Sequence, residues 1–174
     1  MQLFKLSMIF LLILSLFSCS ASYKELSKNS KIPTDEFSKY LLNDYKEKAD
    51  FEAKVMHDWN SAKLYSEKAL KAIKGEKIFP QKITYWQIPV NKKKQLIKSY
   101  NNLLIIYEDA IFLDPFNLSK AISSLDCWFE QQEENWQTWD INKCRDDYLN
   151  AMHSIYKIIK TNELKLDQSS KKNE

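Results

Sequence analysis

Apolar residues recur along most of this chain at three- and four-residue steps, the spacing that gathers side chains on one face of a helix. Between Trp59 and Lys74, the residues Ala62, Tyr65, Ala69 and Ile73 form one such stripe. Asp58 or Asn60 stands where an N-cap belongs and Gly75 where a C-cap glycine belongs, so this helix has the cleanest ends. A less regular pattern precedes it, from about Asp35 to His57, with Phe37, Tyr40, Leu41, Tyr45, Phe51 and Val55 as its apolar set. A third helix is predicted over about residues 91–113 from Leu96, Tyr100, Leu103, Leu104, Tyr107 and Ile111. Asp114-Pro115 then restarts the chain, the acid as N-cap and the proline at the first helical position. A fourth helix carries Leu118, Ala121, Ile122, Leu125, Trp128 and Phe129 on one face. A fifth, capped by Asp140, carries Cys144, Tyr148, Ala151, Met152, Ile155 and Ile159.

Residues 76–90, EKIFPQKITYWQIPV, break this rhythm with two prolines and a short β-like run. A lone strand would lack a partner, so an extended connection is predicted, with Phe79, Tyr85, Trp86 and Ile88 packed down on the helices. The pattern as a whole reads as all-α: about five helices in a bundle or a stack of helical hairpins, in one helical domain over 34–162. The stretch DWNSAKLYSEKALKA resembles half of a tetratricopeptide repeat, but no second copy follows at a 34-residue period. A TPR-like helical hairpin is the expectation.

Composition supports the helical reading and excludes one class of partner. The 174 residues include one glycine and four prolines, too few for the tight turns of an all-β fold. The formal charge is only +3 and Arg145 is the sole arginine, so nucleic acid is not an expected partner.

The N-terminus sets the compartment. Lys5 precedes an apolar run from Leu6 to Phe17, far short of the roughly 20 residues that span a hydrocarbon core, and typical of a secretory signal. Leu16-Phe17-Ser18-Cys19 resembles the lipobox of bacterial lipoproteins, which implies that Cys19 is lipidated and becomes the first mature residue. An ordinary signal peptide cut near Ala21 is the alternative. The lipobox implies a membrane anchor of two or three acyl chains. Ser20, where a retention signal would place Asp, implies an outer-membrane, periplasm-facing destination. Residues 1–18 are then the signal peptide, 19–33 the lipidated cysteine and a flexible tether of roughly 20 Å, and 163–174 a disordered tail.

Secretion places the mature chain where disulfides persist. With Cys19 taken by lipid, Cys127 and Cys144 remain, an even number. They fall on the fourth and fifth helices, and a turn near Gln137 would bring them to similar heights in an antiparallel hairpin. A disulfide is expected there, with Cα atoms about 4.4–6.8 Å apart. Metal or redox use of these thiols would call for a C-x-x-C step that is absent, and His57 and His153 stand far off.

No catalytic pattern emerges. Glu130, Glu133 and Glu134 read as a solvated helix face, lacking the Glu-x-x-His pairs of metal-binding bundles. His57 and His153 have no nucleophile or carboxylate at a suggestive spacing and read as core or interfacial residues. The expectation is therefore no enzyme, no metal and no cofactor. Of five tryptophans, Trp136 and Trp139 lie in a polar stretch and are the candidates for an exposed contact, with a protein partner or with glycan rings.

Two pieces of sequence, MHDWNSAKLYSEKAL and DCWFEQQEENWQ followed by the second cysteine, resemble the N-terminal helical region of OmpA-family envelope lipoproteins. The resemblance runs over about Leu41 to Met152. In that family a C-terminal OmpA-like domain grips peptidoglycan. With the sequence reading only to Glu174, no such domain is expected here and none of its ligand residues has a counterpart. The resemblance implies an envelope address and a helical module. The function expected is that of a lipid-anchored docking or structural module with an envelope protein partner, and the alternative is a peptidoglycan or glycan binder using the aromatic loop.

Overall fold

The computed structural model describes residues 20–171, which form six α-helices with no strand among them. The lipidation site expected at Cys19 and the signal peptide expected over 1–18 lie outside the described residues. Two compact units divide the chain, one ending at Ile78 and the other beginning at Phe79.

In the first unit, α1 spans Ala21–Lys28, α2 Glu36–Phe51 and α3 Trp59–Ile73. The side chain of Asp35 accepts from the Ser38 N–H at 2.8 Å and starts α2. Phe37, Leu41, Tyr45 and Ala49 are buried along it, one helical turn apart. The helix runs on into a π-turn at Glu52–Met56 and stops at His57, which takes the left-handed conformation at φ 57°. Phe51 and Val55, expected on the apolar face, are instead exposed, because the buried row continues through Ala49, Glu52 and Ala53 on the other side. Asp58 caps α3 through the N–H groups of Asn60 and Ser61 at 2.8 and 3.2 Å. Gly75 follows that helix at φ +68°. Ala62, Ala69 and Ala72 let α2 approach α3 closely, and the Tyr45 and Tyr65 rings stack at 6.0 Å.

Helix α1 is a correction to the flexible tether expected over 19–33. Leu26 is buried to 2 % exposure, the Tyr23 hydroxyl donates to Asp50 at 2.7 Å, and the Tyr23 ring meets Trp59 edge-on at 6.1 Å. Two apolar residues three apart present one docking face per turn, which suffices for a short helix laid across an existing pair. Burial, and then the Asp50 contact, raise the Tyr23 pKa.

The second unit holds α4 (Val90–Leu113), α5 (Pro115–Glu134) and α6 (Thr138–Lys171), with a 3-10 turn at Ile83–Tyr85 before them. The Asp114 carboxylate accepts from the Asn117 backbone N–H at 3.2 Å, with Pro115 in the first turn, as the Asp-Pro pair predicts. The faces predicted for the last two helices are those that the fold buries, Leu118, Ala121, Ile122, Leu125, Trp128 and Phe129 on α5, and Cys144, Tyr148, Ala151, Met152 and Ile155 on α6, except that Ile159 is only half-buried. Of the extended connection, Trp86 and Ile88 are buried, while Phe79 and Tyr85 are largely exposed. Phe79 still meets the Tyr107 ring at 4.7 Å. Residues 163–171, expected in a disordered tail, continue α6, and Glu163 to Gln168 are exposed. That stretch has no apolar periodicity, so the helix outruns its packing.

Candidate functional site

The stretch from Asp126 to Arg145 folds as the turn and flanks of the α5–α6 hairpin, the most closely packed helix pair of the second unit. Helix α5 ends at Asn135, which adopts the left-handed conformation at φ 53° and donates its N–H to the Gln131 carbonyl at 3.0 Å. Asparagine tolerates that conformation better than most side chains, and its amide oxygen accepts from Gln132 Nε2 at 3.0 Å. Two residues, Trp136 and Gln137, then lead into α6, whose first turn is closed by the Ile141 N–H on the Gln137 carbonyl at 3.1 Å.

Below this turn, Cys127 and Cys144 stand at disulfide distance, with Cα atoms 5.6 Å apart. The antiparallel hairpin expected from the sequence, turning near Gln137, accounts for that proximity. Next to the pair, Trp128 packs on Tyr148 with ring centroids 5.9 Å apart. The Tyr148 hydroxyl donates to the Ser99 carbonyl at 2.7 Å, tying α6 to α4. Burial raises the Tyr148 phenol well above its ordinary range.

At the tip the two candidate contact residues are open to solvent, Trp136 at 68 % and Trp139 at 65 % exposure. They stand three positions apart at the turn, so both indoles lie at the same end of the hairpin. Asp140, expected as the cap of this helix, lies instead within its first turn because the helix begins at Thr138, and partial burial raises its carboxyl pKa above the usual value. Around α6 the charged residues pair locally, Lys143 with Asp147 at 2.7 Å and Arg145 with Asp146 at 3.0 Å, exposed contacts that add little stability.

Of the acidic run expected as a solvated face, Glu134 is exposed, Glu133 half-buried and Glu130 buried. Gln131 and Gln132 are buried as well. Glu133 accepts a hydrogen bond from the Gln87 N–H, and buried Asp126 accepts one from the Gln81 N–H at 2.6 Å. These two acids hold the 79–89 connection against α5, supplying acceptors to a segment that has no helical partner for its own amides. Sequence reading missed this role because acid and amide are 45 and 46 residues apart. The two histidines also differ from expectation. His57 and His153 are exposed, on separate units.

Among the described residues, the indole N–H groups of Trp86 and Trp128 are buried without a hydrogen-bond partner. No helix of the described residues is long and apolar enough to cross a membrane. No family model, curated protein or solved structure matches the chain.

Proposed function

We propose that the chain is a lipid-anchored, non-enzymatic lipoprotein of the bacterial envelope, whose α5–α6 hairpin presents Trp136 and Trp139 to an envelope protein. The observation that carries this reading is the exposure of both indoles at the tip of a hairpin whose flanks are packed and joined at Cys127 and Cys144. Aromatic side chains held on a rigid support lose little entropy on binding, and tryptophan is enriched among residues that dominate interfaces. The lipobox-like LFSC at 16–19 supports the anchor, and the OmpA-family resemblance supports the address. In an oxidising compartment Cys127 and Cys144 form a disulfide. The α2–α3 pair serves as a TPR-like hairpin.

Aromatic exposure also suits stacking on sugar rings, which makes peptidoglycan the competing ligand. A photo-crosslinking residue at position 136 of the full chain, activated in cells, separates the two. A discrete protein adduct supports docking. Adducts found only in the peptidoglycan fraction, together with co-sedimentation of the purified chain with isolated wall, support the glycan reading and overturn docking. Cys19→Ser tests the anchor separately, which fails if acyl labelling persists.

A further inference from the structure

Helix α4 buries one face through Leu96, Leu103, Ile106, Tyr107 and Ala110. On its other side it leaves four large apolar residues in solvent: Val90 and Phe112 each at 85 %, Ile105 at 78 % and Ile97 at 42 % exposure. At about 100° per residue these four fall within an arc of about 80°, a single stripe roughly 33 Å long. Four large apolar side chains exposed on one arc, spaced by Lys94, Asn101 and Glu108, exceed the scattered single exposures of an ordinary surface.

The order of side chains along the stripe points to its occupant. Its N-terminal half is basic, with Lys94 on the stripe and Lys93 and Lys98 at its borders, and its C-terminal half carries Glu108 on the stripe and Asp109 at its border. Asn101 lies midway. Val90 and Phe112 are equidistant from it in sequence, as are Ile97 and Ile105, and Lys94 and Glu108. A helix patterned this way is complementary to its own reverse.

We propose that this face of α4 is the interface of a homodimer, with two copies packed antiparallel about a two-fold axis at Asn101. In that register Val90 of one copy meets Phe112 of the other and Ile97 meets Ile105. The lysines at 93 and 94 lie alongside Glu108 and Asp109 of the other copy. This is the isologous contact that two-fold symmetry requires. Asn101 faces its own counterpart, where paired amides fix register as a single polar residue does in a helical seam. A membrane surface is the weaker occupant, because anionic lipid would attract the basic half and repel Glu108 and Asp109.

Cysteine placement in the full chain tests the register. Asn101→Cys gives a covalent dimer on mild oxidation, and Phe112→Cys alone gives none. Val90→Cys combined with Phe112→Cys restores crosslinking. Equal crosslinking at all these positions, or none at any, overturns the proposal. Light scattering of the purified chain gives twice the mass of its monomer. Lys94→Glu raises the dimer dissociation constant at least tenfold, and adding Glu108→Lys recovers it, with helical circular dichroism unchanged. A chain that stays monomeric at all concentrations overturns the proposal. Monomer that binds anionic vesicles, and loses that binding in Ile105→Lys, overturns it in favour of a lipid surface.

Discussion

The phenol of Tyr148 donates its proton to the main-chain oxygen of Ser99 at 2.7 Å, joining the N-terminal third of α6 to the middle of α4. Both residues are buried, so this bond exchanges no solvent and orients α6 against a neighbour that its apolar face alone would let slide. Tyr148→Phe keeps the ring on Trp128 and deletes only the hydroxyl. The expected loss is about 1 kcal/mol, measured by chemical denaturation, since a neutral buried hydrogen bond contributes on that order.

The same phenol predicts a pH response. Its folded pKa is raised by burial above the ordinary tyrosine value of about 10, which the unfolded chain keeps. Above pH 10 the unfolded chain releases this proton while the folded chain retains it. The contribution of Tyr148 is therefore intact below that pH and is lost as pH rises above it. Denaturation midpoints measured across this alkaline range should fall, and Tyr148→Phe should flatten the fall.

Asp126 holds the 79–89 segment against α5, within the second unit, by accepting from the Gln81 N–H at 2.6 Å. Removing a buried acceptor leaves that amide unsatisfied, at a cost of about 1–3 kcal/mol. Asp126→Ala should destabilise the chain by this amount and speed hydrogen exchange at the Gln81 amide. Exchange on α6 should change only in proportion to global stability. Unchanged protection at Gln81 would show that the acid does not hold the segment.

Asp126 also shows why the sequence was legible in some places and opaque in others. Local rules succeeded: the caps at Asp58 and Asp114, the glycine at 75 and the buried faces of α5 and α6 each follow from residues within one or two turns. The acids at 126 and 133 obey no local rule, since their partners are amides of a distant, irregular segment. Helix α1 went unread for a similar reason. Its propensity is modest, and it depends on contacts from Tyr23 to Asp50 and Trp59 that no window of eight residues contains. The exposed stripe of α4 was hidden by the opposite problem, an excess of apolar residues in which buried and open faces look alike.

Two left-handed residues end helices in the first unit, and they predict effects of opposite sign. At Gly75, φ is +68° and a Cβ would meet no atom within 4 Å, so Gly75→Ala costs backbone strain alone, about 1 kcal/mol. His57 already bears a Cβ at φ 57°, so His57→Gly should be neutral to stabilising by up to about 1 kcal/mol. Thermal denaturation of the two variants checks the pair. Destabilisation in both would mean that the His57 side chain makes a contact worth more than its strain.

Reduction should separate the proposed roles of the hairpin's two parts. The Cys127–Cys144 link closes a loop of sequence separation 17, and opening it should lower stability by about 3 kcal/mol in the chain-entropy account. The indoles at 136 and 139 contribute little to the fold because they are mostly in solvent, so Trp136→Ala with Trp139→Ala should leave the denaturation midpoint nearly unchanged. Partner crosslinking should respond the other way. The double alanine variant should lose it outright, while the reduced chain, still helical and still carrying both indoles, should retain a weakened signal because the tip is no longer held by the crosslink. If the alanine variant instead unfolds, or crosslinks as the unaltered chain does, the tip is structural and the docking surface lies elsewhere.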